Sequence, residues 1–142
     1  MAVAPDLPIA TFVAVVEHGV SGAVAGDVLQ PDGRFGQASG YSFTYDASRP
    51  VGDRVVDLVL DDGTVIVAAG ELAATAPATI SFATNDFTFR GGDGYPLVGV
   101  QFVVLPYTYQ EAFETYLIDG LGGVVTAADY PVGGVGRIVE VD

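Results

Sequence analysis

The sequence contains no cysteine, no lysine and a single histidine. Without thiols there are no disulfides, no thiolate metal sites and no cysteine nucleophile. One histidine, His18, excludes a multi-histidine metal site within this chain. The five basic residues are all arginines and stand against 18 acids, for a formal net charge of −13. A nucleic-acid groove needs a basic stripe that displaces counterions, so binding to DNA or RNA backbone is disfavoured. An anionic membrane surface is disfavoured on the same ground. No apolar run reaches the ~18 residues that suggest a membrane-spanning helix. The opening MAVAPDLPIA lacks the positively charged segment of a signal peptide.

What is present is apolar material. The chain has 142 residues, 50% of them hydrophobic, and a mean hydropathy of +0.45. That is enough to bury a core and argues against disorder. No linker or internal repeat divides it, so a single domain over residues 1–142 is expected. Much of the acidity serves solubility.

Apolar residues at Ile9, Phe12, Val13, Val16 and Val20 have helical spacing, with Gly19 as a stop signal. YSFTYD (41–46) alternates, with Tyr41, Phe43 and Tyr45 on one face of a strand. RVVDLVL (54–60) and TVIVAA (64–69) form a hairpin around Asp61-Asp62-Gly63. GELAATAPA (70–78) is a connector, and TISFATNDF (79–87) continues as a strand. VGVQFVVL (98–105) reads as a buried strand or short apolar element. The segment 107–121 has Phe113, Tyr116, Leu117 and Leu121 at helical spacing, which predicts a helix with an apolar core face. The tail GGVGRIVEVD supplies a last short strand. The order is not a regular βαβ alternation, so the expected class is α+β: a mixed, mostly antiparallel sheet with packed helices.

One stretch stands out. TNDFTFRGGDGYPL (84–97) puts a carboxylate, Asp93, among Gly91, Gly92 and Gly94, a few residues after Phe87. Glycines allow close backbone approach and positive φ. Asp93 could accept hydrogen bonds from two neighbouring hydroxyls, as on a ribose, and Phe87 could stack on a base. The same pattern also fits a turn in which Asp93 bonds its own backbone. No GK[ST] follows the glycines, so this is not a phosphate-binding P-loop. Arg90 is expected at the surface or in an ion pair. Arg137 is expected to be structural, and His18 to cap or pack the first helix. The Asp61-Asp62-Gly63 and Pro31-Asp32-Gly33 segments read as ordinary turns, since neither has the spacing of an EF-hand.

The string T-N-D-F-x(3)-G-G-D-G-Y resembles the signature of the C-terminal domain of the 5′-nucleotidase / UDP-sugar hydrolase family. VVEHGV (15–20), GRFGQASGYSFTYDASRPVGDRV (33–55) and GRI (136–138) follow in the family's order. The resemblance covers most of residues 8–138. It implies that the chain recognises a nucleoside or nucleotide, with Phe87 stacking on the base, Asp93 holding the ribose hydroxyls and Gly33 lining the same pocket. It also implies that hydrolysis belongs to a separate N-terminal metallophosphatase domain carrying two divalent metals, and that the address is periplasmic or extracellular. No cofactor is expected in this chain itself.

Two departures accompany it. The family's upstream Asn-Gly-Gly-x-(Ile/Val)-Arg and Pro-Phe-Gly-Asn segments do not occur, nor do the Asp-x-His and Asn-His-Glu metal-binding motifs. The expectation is therefore a domain lacking the upstream part of the family pattern, inactive as a hydrolase by itself. The alternative is a non-enzymatic extracellular assembly module, completed by edge-strand pairing with a partner chain or with its own copy.

Overall fold

The computed structural model describes residues 1–25 and 33–141. The predicted Pro31-Asp32-Gly33 turn lies partly outside these residues. Strand β1 (Ala2–Pro8) leads into helix α1 (Ile9–Gly19). Strands β2 (Tyr41–Tyr45), β3 (Val55–Leu60), β4 (Val65–Ala68), β5 (Glu71–Leu72) and β6 (Thr79–Thr84) follow. Next come a one-turn helix α2 (Asp86–Phe89), a 3₁₀ turn (Gly92–Gly94) and β7 (Val103–Val104). Helix α3 (Tyr109–Thr115) runs into a π turn (Tyr116–Gly120), and β8 (Ile138–Glu140) closes the chain.

The strands form two sheets, ordered β6-β1-β7 and β5-β4-β3-β2-β8. Among the described residues every pairing is antiparallel except β2 with β8. The class is α+β and mostly antiparallel, as the element order predicted, but the strands divide into an antiparallel sheet and a mixed one rather than a single sheet. Helix α1 touches both sheets through β1, β6 and β4. Its apolar stripe, Ile9, Phe12, Val15 and Val16, is buried together with Leu7, Leu58 and Ile66. Burying side chains of this size stabilises the fold by about 1.5–3 kcal/mol each.

Strand β1 is not legible as a strand in the sequence, because Pro5 and Pro8 interrupt it. Prolines are confined to edges and bulges. Here the register with β6 shifts between Ala4 and Leu7, so that Pro5 and Asp6 stand in an exposed bulge. Ala2, Ala4 and Leu7 remain fully buried around it.

The junction of α1 with the second sheet rests on Glu17 and Arg54, both buried. The Glu17 carboxylate accepts the backbone N–H of Arg54 at 3.0 Å and of Val55 at 2.8 Å. The Arg54 guanidinium donates to the carbonyls of Val20, Ser21 and Ala23, just past the helix C-terminus. It thereby pins the segment just past α1 to the start of β3 and places a cation near the helix C-terminus.

Three expectations need correction. The 79–87 strand stops at Thr84, because Asn85 caps a helical turn: its Oδ1 accepts from Thr88 N at 2.7 Å. Phe87 therefore lies on α2, not on a strand. The 98–105 segment is not a buried strand. Only Val103 and Val104 pair, both exposed, and Val98 is 78% exposed. The helix predicted over 107–121 forms and carries a capping box between Thr108 and Glu111. Its apolar side chains do not join the core, however: Tyr109 is 70% and Phe113 61% exposed. Spacing identifies an apolar face but not what covers it.

Candidate functional site: a cavity between α1, the 33–36 loop and α2

A cavity of about 620 Å³ opens between the C-terminal half of α1, residues 33–43, β6 and the α2 region. Its apolar side is aromatic. Phe12 meets Tyr41 edge-on, with ring centroids 5.1 Å apart, and Phe82 at 5.7 Å. Burial, with a smaller contribution from Tyr95, pushes the Tyr41 hydroxyl up to about 12, so at neutral pH this wall is uncharged. An apolar hollow with a few convergent polar groups is the usual form of a small-molecule site.

Phe87, Asp93 and Gly33 all line this cavity. They come from α2, the 3₁₀ turn and the loop before β2. Asn85 fixes α2, and α2 presents Phe87, a residue 57% exposed. A second hollow, also bordered by Phe87, is lined by Tyr107 and Tyr109, but it includes neither Asp93 nor Gly33.

The other three glycines of the motif do not line the cavity; they build its wall from behind. At Gly92 a Cβ would fall 2.3 Å from Phe87 Cε1, so the phenylalanine ring rests on bare backbone. Gly91 adopts φ 85° and starts the turn. Gly94 has φ 78°, and a Cβ there would sit 3.4 Å from His18 Cε1. Asp93 itself has φ 54°, in the left-handed region that few non-glycine residues occupy. The glycine motif forms a turn, closed by the Gly94 N–H to the Gly91 carbonyl at 3.1 Å and the Tyr95 N–H to the Gly92 carbonyl at 3.2 Å, rather than by the Asp93 side chain, and that turn stands on the cavity.

Two residues behind the motif went unread in the sequence. Tyr95 donates its hydroxyl to the Arg34 carbonyl, tying the 91–95 turn to the 33–36 loop. Its ring also meets His18 edge-on at 4.7 Å. The signal for Asn85 was present in the sequence: an Asn before Asp-Phe-Thr is an N-cap pattern. Arg90 pairs with Asp86 at 3.5 Å and lies over the Phe102 ring at 5.5 Å. Arg137 donates to the Ala38 carbonyl. Both roles are structural. The Asp61-Asp62-Gly63 segment is a hairpin turn in which Asp62 accepts from Thr64 N. Among the described residues, no three His, Asp or Glu side chains stand close enough to share a metal ion. Nor is any described helix long and apolar enough to cross a membrane.

The family "5′-nucleotidase, C-terminal domain" matches residues 7–99. Among solved structures, the 5′-nucleotidase precursor from Thermus thermophilus superposes with a TM-score of 0.70 at 30% identity. The match covers 99% of this chain and 25% of that one, so the chain spans about a quarter of the length of that relative. No curated protein shows significant sequence similarity.

Proposed function

The chain belongs to the 5′-nucleotidase C-terminal-domain family, and from that premise we propose that it is a nucleoside- or nucleotide-recognition domain. One observation carries the reading. Phe87, Asp93 and Gly33, which lie up to 60 positions apart in the sequence, converge on one aromatic-walled cavity. Phe87 offers an exposed ring face to a base. Asp93 offers a carboxylate to two ribose hydroxyls; charge-assisted bonds of this kind are about twice as strong as neutral ones. Gly33, with nothing within 4 Å of an added Cβ, leaves the rim open.

Recognition is separate from chemistry in this reading. Phosphate ester hydrolysis, nucleotide catabolism and the two divalent metals are assigned to a metallophosphatase domain, on another part of the protein or on a partner chain, at a periplasmic or extracellular address. The chain by itself binds without hydrolysing.

Calorimetric titration with adenosine, uridine and their 5′-monophosphates tests this, with Phe87→Ala and Asp93→Asn as controls. Saturable binding that both substitutions weaken is expected. No heat with any ligand, from protein shown to be folded, would overturn it.

A second reading, an assembly module completed by a partner or a second copy, is favoured by one feature. The 98–135 segment exposes Val98, Tyr109, Phe113 and Val132, apolar side chains that a partner could cover. Light scattering across a concentration series decides this point. A strictly monomeric protein at high concentration would end the self-assembly version.

A further inference from the structure

His18 does not line the cavity, yet it touches the residue that carries the cavity's carboxylate. Its Nε2 lies 2.8 Å from the backbone carbonyl of Asp93. A carbonyl can only accept, so Nε2 carries the proton whether the ring is neutral or cationic. The imidazole fills the space beneath the turn, 3.4 Å from where a Gly94 Cβ would stand, and packs edge-on against Tyr95. Tyr95 is in turn bonded to the Arg34 carbonyl. The end of α1, the 33–36 loop and the 91–95 turn are thus tied together through these two rings.

The tie matters because of the backbone it holds. Asp93 sits at φ 54°. A non-glycine residue keeps a left-handed conformation only where its surroundings hold it there. If the turn relaxes, the Asp93 carbonyl rotates away from α1 and the carboxylate leaves the cavity edge.

We propose that His18 is a positioning residue for ligand recognition: its Nε2–H bond fixes the Asp93 turn so that the carboxylate is preset for a vicinal diol. The inference rests on the nucleoside reading above and deepens it. His18 acts through Asp93, so it governs only the part of the affinity that depends on ribose hydroxyls.

The test is calorimetric titration of the wild-type chain, His18→Phe and His18→Gln with adenosine and with 2′,3′-dideoxyadenosine. His18→Phe keeps a flat ring and removes the donor; His18→Gln restores a donor. Losing one preset hydrogen bond should weaken adenosine binding by about tenfold. Dideoxyadenosine binding should not change, and the glutamine variant should recover most of the loss. If His18→Phe does not melt cooperatively, His18→Leu takes its place.

An equal loss for both ligands would reduce His18 to packing and overturn the inference, and so would no loss with adenosine. Both outcomes leave nucleoside recognition intact. A wild-type chain that binds the two ligands equally would remove the ribose role of Asp93, and this inference with it. A folded wild-type chain that binds neither would overturn the nucleoside reading itself and everything built on it.

Discussion

Gly92→Ala separates the architecture of the site from its function. A Cβ at this position would fall 2.3, 2.4 and 2.5 Å from Cε1, Cδ1 and Cζ of Phe87. Ordinary contact begins near 3.4 Å, so the ring must retreat by about 1 Å or swing to another rotamer. Phe87 is 57% exposed, so its side chain has solvent to move into. Gly92 is not among the positive-φ glycines, so alanine also fits its backbone. A compatible Gly→Ala change contributes about 0.4–1 kcal/mol through the unfolded chain, which offsets much of the cost of moving an exposed ring. Stability should therefore stay within about 1 kcal/mol of wild type. Binding should not. Base stacking on an aromatic contributes about 1–3 kcal/mol, so a displaced ring should raise the adenosine Kd by roughly 5- to 150-fold. Scanning and titration calorimetry on the same samples read both quantities. Gly91→Ala is the control: its φ of 85° makes alanine strained by about 1–2 kcal/mol, and its Cβ would fall 2.5 Å from Val98 Cγ2, so the exposed Val98 side chain must also move, while the floor under Phe87 is untouched. Unchanged affinity in Gly92→Ala would mean that the observed ring position is not what the ligand uses. A large fall in Tm would mean that the glycine serves the fold and not the site.

Two further predictions concern the frame around the cavity. Glu17→Ala leaves the buried amides of Arg54 and Val55 without their acceptor, which should cost about 3 kcal/mol or more in urea unfolding, whereas Glu17→Gln retains one acceptor oxygen and should cost less; equal midpoints for Glu17→Ala and wild type would refute this. The Tyr41 hydroxyl is raised from 10.0 to about 12 by burial and, secondarily, by Tyr95. The folded state therefore holds a proton that the unfolded chain releases, and the associated stability of about 2–3 kcal/mol is fully present below pH ~10 and lost as pH rises towards ~12. Tyr41→Phe should flatten that alkaline slope, while the part due to Tyr45, also raised by burial and by Glu140, persists. An identical slope in both proteins would show that Tyr41 is not held neutral by the fold.

The sequence was most informative where one local rule acts alone. The α1 stripe, the alternation of β2 and the Asp61-Asp62-Gly63 hairpin each follow from periodicity or turn chemistry, and each is found where the residues predict it. It was least informative where two rules compete. Pro5 argues against a strand, yet Ala2, Ala4 and Leu7 bury completely once a bulge takes up the proline. Phe87 follows directly on the Ile80 and Phe82 strand pattern, yet Asn85 ends the strand by bonding Thr88 and places Phe87 on the cavity. The same holds for the glycines. Their residue types suggest a backbone that closes around a ligand, but spacing cannot tell which glycine faces a ligand and which faces a side chain. In the folded chain Gly92 faces Phe87 and Gly94 faces His18. The binding groups themselves, an aromatic and a carboxylate, were legible because chemistry requires particular side chains. The parts that aim them were not, since a backbone carbonyl bonded to a histidine on another element leaves no local pattern. A site such as this is read from sequence as a set of groups, and its geometry comes from long-range contacts between α1 and the 91–95 turn that the fold alone creates.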